Sequence, residues 1–390
     1  MKRILIQAFL ALLILAAPAR GGGGGPAPGN LVAATAQPKP LSDVLPAARW
    51  RQVENSVDSA LAWIATQQAA DGSFTTMPSA QPAVTSFCVL AFLSRGHQPG
   101  YGPYGQQMEK AIDFVLSCQM DDGLFSYQPP ESQHADKRAS HTAAYNHAIA
   151  GLMLGEVYGH VTGQRMKEVK AAIGKALLFT RALQLRPKKE YEKGGWRYLR
   201  LQSSGAIDSD LSVTTWQLLF LRSARNAEFD VPQSYIDAAM GFVHRCWDPG
   251  AEMFDYAVQQ SGQPSPSRGM TGAGILALSL GGQHQTPMAL AAGDWLLAHR
   301  FRGLGETIGN WDRPFYSMYY CSQAAVQLGG RYWQGIFPPI VDSLLATQRP
   351  DGSWPVEDAQ GDGLFGQCYS SALAVLALTP PYQLLPVYQR

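Results

Sequence analysis

Two aspartates one residue apart, Asp208 and Asp210, stand directly before an apolar run in the stretch "IDSDLSVTTWQ". Carboxyls so placed can serve either of two purposes. A carboxyl in an apolar surround beside a second carboxylate has its pKa raised and retains a proton to donate. That makes Asp210, with Asp208 as its neighbour, a candidate general acid. Asp and Ser are equally the residue types that cap a helix, and negative charge suits a helix N-terminus, so Asp208, Asp210 and Ser212 all qualify as structural caps. Both readings need a helix to begin near Leu211, and they differ in what Asp210 faces.

Tyr145-Asn146-His147 supplies a phenol, an amide and an imidazole in succession. Exported polysaccharide lyases built on helical toroids use these residue types for proton transfer and for neutralising a uronate. Adjacent residues on a helix point about 100° apart, so the three cannot all meet one substrate. Tyr145 and His147 are instead placed as lining of an inner cavity. Trp216, Tyr316, Tyr319, Tyr320 and Tyr369 also fall in apolar helical segments. Their π faces could hold a carbocation or an apolar ligand, or the rings could simply fill a core.

The elements that must position these residues come from a repeated phrase. "ALAWIATQQAADGSF" (60–74) returns as "AIDFVLSCQMDDGLF" (111–125) and "VDSLLATQRPDGSW" (341–354). Looser copies lie at 176–196, 238–254 and 291–311. In each, an amphipathic helix ends, Gln or its equivalent follows, and a Gly allows a turn with positive φ before an aromatic residue. A more apolar segment follows each turn, at 83–93, 142–158, 211–224, 269–280, 316–328 and 367–378. Helices apolar nearly all round belong inside, and repeats of this period are helical pairs. The expected fold is all-α: an α/α toroid of six helical hairpins, closed because neither terminal repeat is polar.

The Gln…Asp-Gly-x-aromatic phrase resembles the QW motif of squalene cyclases and prenyltransferase β subunits, over roughly residues 50 to 380. "DLSVTTWQLLFLRSA", "YNHAIAGLMLGEVYG" and "QLGGRYWQ" are similar to secreted, single-toroid prenyltransferase/squalene oxidase repeat proteins. The resemblance implies a terpenoid-cyclase α/α toroid, and it aligns Asp208-Ser209-Asp210-Leu211 with the cyclase DxDD motif, Asp210 falling on the proton donor and Leu211 replacing the last Asp. Squalene cyclases enlarge their pocket with a second toroid, and this chain has one. "FGQCYSS" is similar to the stretch that supplies a zinc-binding His in prenyltransferases, but Gly366 holds the His position. Asp312 likewise lacks its matching Cys, so no metal or organic cofactor is implied. The ligand expected is an apolar, terpenoid-like small molecule handled by a possible proton-initiated cyclase. The alternative is a non-catalytic toroid that binds a hydrophobic ligand or a protein partner.

Composition bounds the partners. The chain has 390 residues, 46% hydrophobic and 16% charged, with a formal net charge of +1. That balance offers no field for nucleic acid. Residues 1–19 read as a secretory signal: Lys2 and Arg3, an apolar Ile4 to Leu15, then Ala17-Pro18-Ala19. A retained anchor, with membrane association, is the other reading of that segment. Residues 20–40 read as a Gly/Pro/Ala-rich linker, and 41–390 as the toroid. Five widely spaced cysteines with no CxxC pattern read as buried packing thiols, with one disulfide left open. The basic stretch 186–200 is expected to be a solvated rim.

Overall fold

The computed structural model describes residues 40–130, 137–199, 208–258, 265–309, 312–357 and 361–389. The signal expectation (1–19) and all but the last residue of the linker expectation (20–40) fall outside them. Among the described residues no helix is long and apolar enough to cross a membrane.

Among the described residues, twelve α-helices alternate between an outer and an inner set. The outer set is α1 (Ala47–Thr66), α3 (Gly105–Ser117), α5 (Gly163–Gln184), α7 (Gln233–Arg245), α9 (Pro287–Ala298) and α11 (Gly330–Thr347). The inner set is α2 (Ala83–Ser94), α4 (Lys137–Val157), α6 (Leu211–Asn226), α8 (Arg268–Leu280), α10 (Pro314–Leu328) and α12 (Gly366–Leu378). Every residue of α2 is buried, as is all of α12 from Cys368 onward, which is why these segments show no polar face in the sequence. Each inner helix packs on the next, and α12 packs on α2, so the inner ring is closed. Outer helices lie against the preceding inner helix; α1, which has none before it, lies against α12.

The repeated turns hold this ring by one device. In each clear copy the Gln amide donates both to the carbonyl of its own turn glycine and to a backbone carbonyl of the next outer helix. Gln68 bonds Gly72 and Gln107, Gln119 bonds Gly123 and Ala172, and Gln184 bonds Gly194 and Tyr235. Gln348, in the last copy, bonds Gly352 and reaches round to Ser56 of α1. The turn glycine has φ between 91° and 95° in all four and lies against the next outer helix's backbone. The aromatic residue is fully buried, and its N–H donates to a side chain in the first turns of the inner helix: Phe74 to Thr85, Trp196 to Thr214, Phe254 to Thr271 and Trp354 to Ser371. The fourth turn pairs more extensively, giving a two-residue antiparallel ladder of β1 (Trp247–Asp248) with β2 (Met253–Phe254). This is a small departure from the strand-free expectation.

The chain's C-terminal segment closes one end of the ring. Leu385, Val387 and Tyr388 are buried where the inner helices end. Gln327 of α10 donates to the Tyr388 carbonyl at 2.7 Å, Asn226 at the end of α6 to the Pro386 carbonyl at 3.1 Å, and Tyr319 bonds the Tyr388 hydroxyl. Glu156 of α4 accepts from Ser223 Oγ at 2.6 Å and from the Val387 N–H at 3.3 Å. Burial raises Glu156 to about 7, against the pull of those two hydrogen bonds. A carboxyl raised on folding stabilises the fold below its unfolded pKa, and that contribution is lost as pH rises through the folded value. Gln at this position mimics the protonated acid, since its amide can donate to Ser223 Oγ while its carbonyl accepts from Val387. Glu156→Gln is therefore expected to match the parent near about pH 4 and exceed it by about 2–3 kcal/mol near about pH 8. Denaturant unfolding at the two pH values checks this.

Candidate functional site

The N-terminal ends of the inner helices gather on the opposite end of the ring, and Asp210 is the N-cap of α6. Its Oδ1 accepts from the Val213 N–H at 2.8 Å, its Oδ2 accepts from Arg197 Nη1 at 3.1 Å, and none of it is exposed. The same Arg197 nitrogen lies 3.3 Å from the Tyr256 hydroxyl, and the Tyr198 and Tyr256 hydroxyls are 2.6 Å apart. The Arg197 guanidinium stands over the Tyr198 ring at 4.6 Å, so both its charge and its flat face are engaged. Burial raises Asp210 to about 6, opposed by the Arg197 charge and the Val213 amide. At neutral pH the group is thus predominantly a carboxylate.

A second hydrogen-bonded chain crosses the ring beside it. Tyr145 of α4 bonds Ser212 of α6 at 2.9 Å, and Ser212 bonds Tyr316 of α10 at 2.6 Å. Trp216 Nε1 donates to the Tyr316 hydroxyl at 3.2 Å. At the start of α10, Arg313 pairs with Asp362 at 2.8 Å, and burial raises Asp362 to about 6. Tyr369 of α12 packs between Phe365 at 5.2 Å and Phe87 of α2 at 6.1 Å.

Beneath this mouth the axis is filled. Trp216 of α6 meets Phe87 of α2 at 5.3 Å and stacks on Tyr319 of α10 at 5.4 Å with planes 4° apart. These helices are not neighbours in the ring, so rings that touch between them do so across its centre. Tyr320 packs against both Trp216 and Tyr319, and all three side chains are at most 1% exposed. Trp216, Tyr319 and Tyr320 therefore pack as a core, whereas Tyr145 and Tyr316 stay partly exposed at the mouth. Two hollows of about 280 and 520 Å³ lie elsewhere, the first lined by Leu218, Arg222 and Gly281, the second by Leu304, Phe315 and Val356. Neither is lined by Asp210 or by any aromatic residue expected in the cavity.

Tyr145, Asn146 and His147 diverge as helical geometry requires. Only Tyr145 reaches the mouth. Asn146 accepts from the Ala83 N–H and donates to Ser79, holding the start of α2. His147 points away from the axis: its Nδ1 accepts from the Phe125 N–H at 3.3 Å, and its Nε2 bonds Thr180 Oγ1 at 2.9 Å. Thr180 in turn donates to Gln217 Oε1, which assigns the His147 proton to Nε2. Burial depresses this imidazole to about 3, so it stays neutral. Its position is the one that Thr or Ser fills in the other repeats, and it does not line the central cavity. Asp208 is partly exposed and its N–H donates to Glu192 Oε1 at 2.7 Å.

Other expectations need correction too. Within the basic stretch, Arg197 turns inward onto Asp210 and Tyr198 onto the Tyr256 hydroxyl, in place of a solvated rim. Asp312 accepts from buried Arg268 and from Ser317, bracing the starts of α8 and α10. Arg197, Tyr198, Tyr256, Arg313 and Asp362 were not singled out from the sequence. The signal that could have found the third is the aromatic pair Phe254 and Tyr256, two residues apart at the end of the fourth turn.

No family model matches the chain, and no curated protein does. Solved structures do match in fold. The type II terpene cyclase MstE from Scytonema is 15% identical over 86% of this chain and 100% of its own, with a TM-score of 0.54. An inactive variant of the α-1,6-mannanase GH76A of Salegentibacter sp. HEL1_6, in complex with α-1,6-mannotetrose, is 10% identical over 85% of this chain and 99% of its own, with a TM-score of 0.56. The chain is thus an α/α toroid of the shape shared by terpene cyclases and GH76 mannanases.

Proposed function

We propose that the toroid is a binding module whose mouth takes a small amphipathic, terpenoid-like ligand, and that Asp210 is a cap and counter-ion there and not an acid. The observation that carries this reading is the commitment of both Asp210 oxygens, one to the α6 amide and one to Arg197, with no exposure. Protonating an alkene requires a strong acid, protonated and facing the substrate. A group ionised at neutral pH and tied to a guanidinium has the opposite preparation. The filled axis supports the same reading, because a long polyene needs a deep pocket in which to fold.

In this proposal the polar end of the ligand exchanges with the Tyr145–Ser212–Tyr316 hydroxyl chain, and its apolar part lies on the faces of Tyr316, Phe365 and Tyr369. Residues 1–19, read as a secretory signal, place the module outside the cytoplasm. The QW-like turns, on this reading, are retained for ring closure and not for cyclase chemistry.

Titration with a polyprenyl alcohol, followed by tryptophan fluorescence, tests the proposal. Saturable binding is expected, weakened about 5- to 10-fold by Tyr316→Phe, the worth of about one hydrogen bond. Binding of α-1,6-mannotriose but not the alcohol would overturn the ligand class, and an unchanged affinity in Tyr316→Phe would remove the mouth as the site.

A further inference from the structure

Partly buried arginines in this protein have their charge met. Arg95 pairs with Asp58, Arg165 with Asp113, Arg197 with Asp210 and Arg313 with Asp362, while Arg181 donates to Gln184 and lies over the Tyr235 ring. Arg222, near the end of α6, differs. It is half-buried, and its Nε is shut off from solvent without an acceptor. Among the described residues its side chain makes no hydrogen bond and no ion pair. A guanidinium stays charged at any ordinary pH, so withdrawing one from water without a partner costs stability. The helix macrodipole does not account for it, because Arg225 already supplies a cation in the last turn of α6.

Arg222 also lines the hollow of about 280 Å³, at the end of the ring away from the mouth. The apolar wall of that hollow is Leu218 of α6, Ile236 of α7 and Leu280 of α8, and its polar rim is Arg222, Arg225 and Gln233. Arg225 donates to Gln233 at 2.7 Å and Gln233 to Asp237 at 2.9 Å, so the Asp237 carboxylate is engaged by the amide and forms no ion pair with either guanidinium. We infer that this hollow is a second ligand site and takes an organic monocarboxylate with a short hydrocarbon body. The carboxylate accepts from the Arg222 guanidinium, whose planar fork matches its two oxygens, and the chain lies on Leu218, Ile236 and Leu280. Each half of that chemistry excludes a simpler occupant. A neutral alcohol of the same size would leave the Arg222 charge unmet. Inorganic phosphate would leave the apolar wall in water and, as a dianion, ask for more than one unengaged guanidinium. A volume of about 280 Å³ lies at the small end of ligand sites, which limits the chain to medium length.

Calorimetric titration of the full chain with octanoate tests this. Saturable binding is expected with a Kd of about 0.1 to 1 mM, the range that ligand efficiency allows a molecule so small. Octanol and inorganic phosphate, each carrying half of the chemistry, should bind at least about 10-fold more weakly. Arg222→Gln should weaken octanoate by about 10-fold or more, the worth of a charge-assisted hydrogen bond. Ile236→Glu brings a competing carboxylate to the hollow from a different helix and should abolish the binding. Tyr316→Phe, at the mouth, should leave octanoate affinity unchanged, which separates this site from the one proposed there. No saturable binding by the parent, or octanol or phosphate binding as tightly as octanoate, would overturn the inference. So would an affinity that survives both hollow variants or falls in Tyr316→Phe. Ile236 is half-buried on an outer helix, so its variant keeps the test readable if Arg222→Gln folds poorly.

Discussion

Asp210→Ala is expected to destabilise the toroid by about 2 kcal/mol. The substitution removes the side-chain cap from the Val213 N–H, a loss of about 1 kcal/mol. It also leaves the Arg197 guanidinium, whose side chain is 12% exposed, without its carboxylate, which costs about 2 kcal/mol more. Part of that loss is returned, because the variant no longer buries a carboxylate whose own desolvation raises its pKa to about 6. Asp210→Asn should be milder, since the amide oxygen can still cap α6. Denaturant unfolding of the parent and both variants reads the order directly. An Asp210→Ala protein as stable as the parent would show that the cap and the ion pair contribute nothing to the fold, and the structural reading of Asp210 would lose its basis.

Gly194→Ala should be more damaging still, by about 4 kcal/mol or failure to fold. Gly194 sits at φ 91°, and a Cβ there would lie 1.9 Å from the Ala238 carbonyl oxygen of α7. That neighbour is backbone in the first turns of a helix and cannot rotate aside. The same turn also carries Trp196, fully buried, with its indole donating to Thr180. Relief of the clash would therefore shift the next outer helix or lift the tryptophan from its slot. Gly282→Ala is the control: Gly282 also has positive φ, at 75°, but a Cβ there meets nothing within 4 Å. The control should show only the backbone cost, about 1 kcal/mol. Equal loss in the two variants would mean that the close approach to α7 is not what fixes the glycine.

These predictions mark what could be read from the chain. The inner helices were legible because total burial removes every polar face: the expected 83–93 and 367–378 differ from α2 and α12 by a residue at one end. The start of α4 was placed five residues late because Lys137, Arg138 and His141 break the apolar pattern. The Gln and Gly of each turn were recognisable by type, but their common task was not. A bond from Gln348 to Ser56 joins residues 292 positions apart and is visible only after the ring has closed. At the mouth, the capping role of Asp210 was available from local spacing. Its pairing with Arg197 was not, since the arginine belongs to a long turn whose charges suggested solvent. His147 shows the reverse failure: its residue type suggested chemistry, while its position in the repeat is that of a structural Thr or Ser. The closing segment 380–389 has no periodicity to read, because its residues are anchored one by one to three different inner helices.

Product analysis decides most directly whether Asp210 acts as an acid. Parent and Asp210→Asn proteins, both shown to be folded, would be incubated with squalene and with shorter polyprenyl substrates, and the extracts separated by mass-resolved chromatography. The predicted result is unchanged substrate from both proteins. Cyclic product from the parent that disappears in Asp210→Asn would contradict the account and make Asp210 the proton donor of a cyclase.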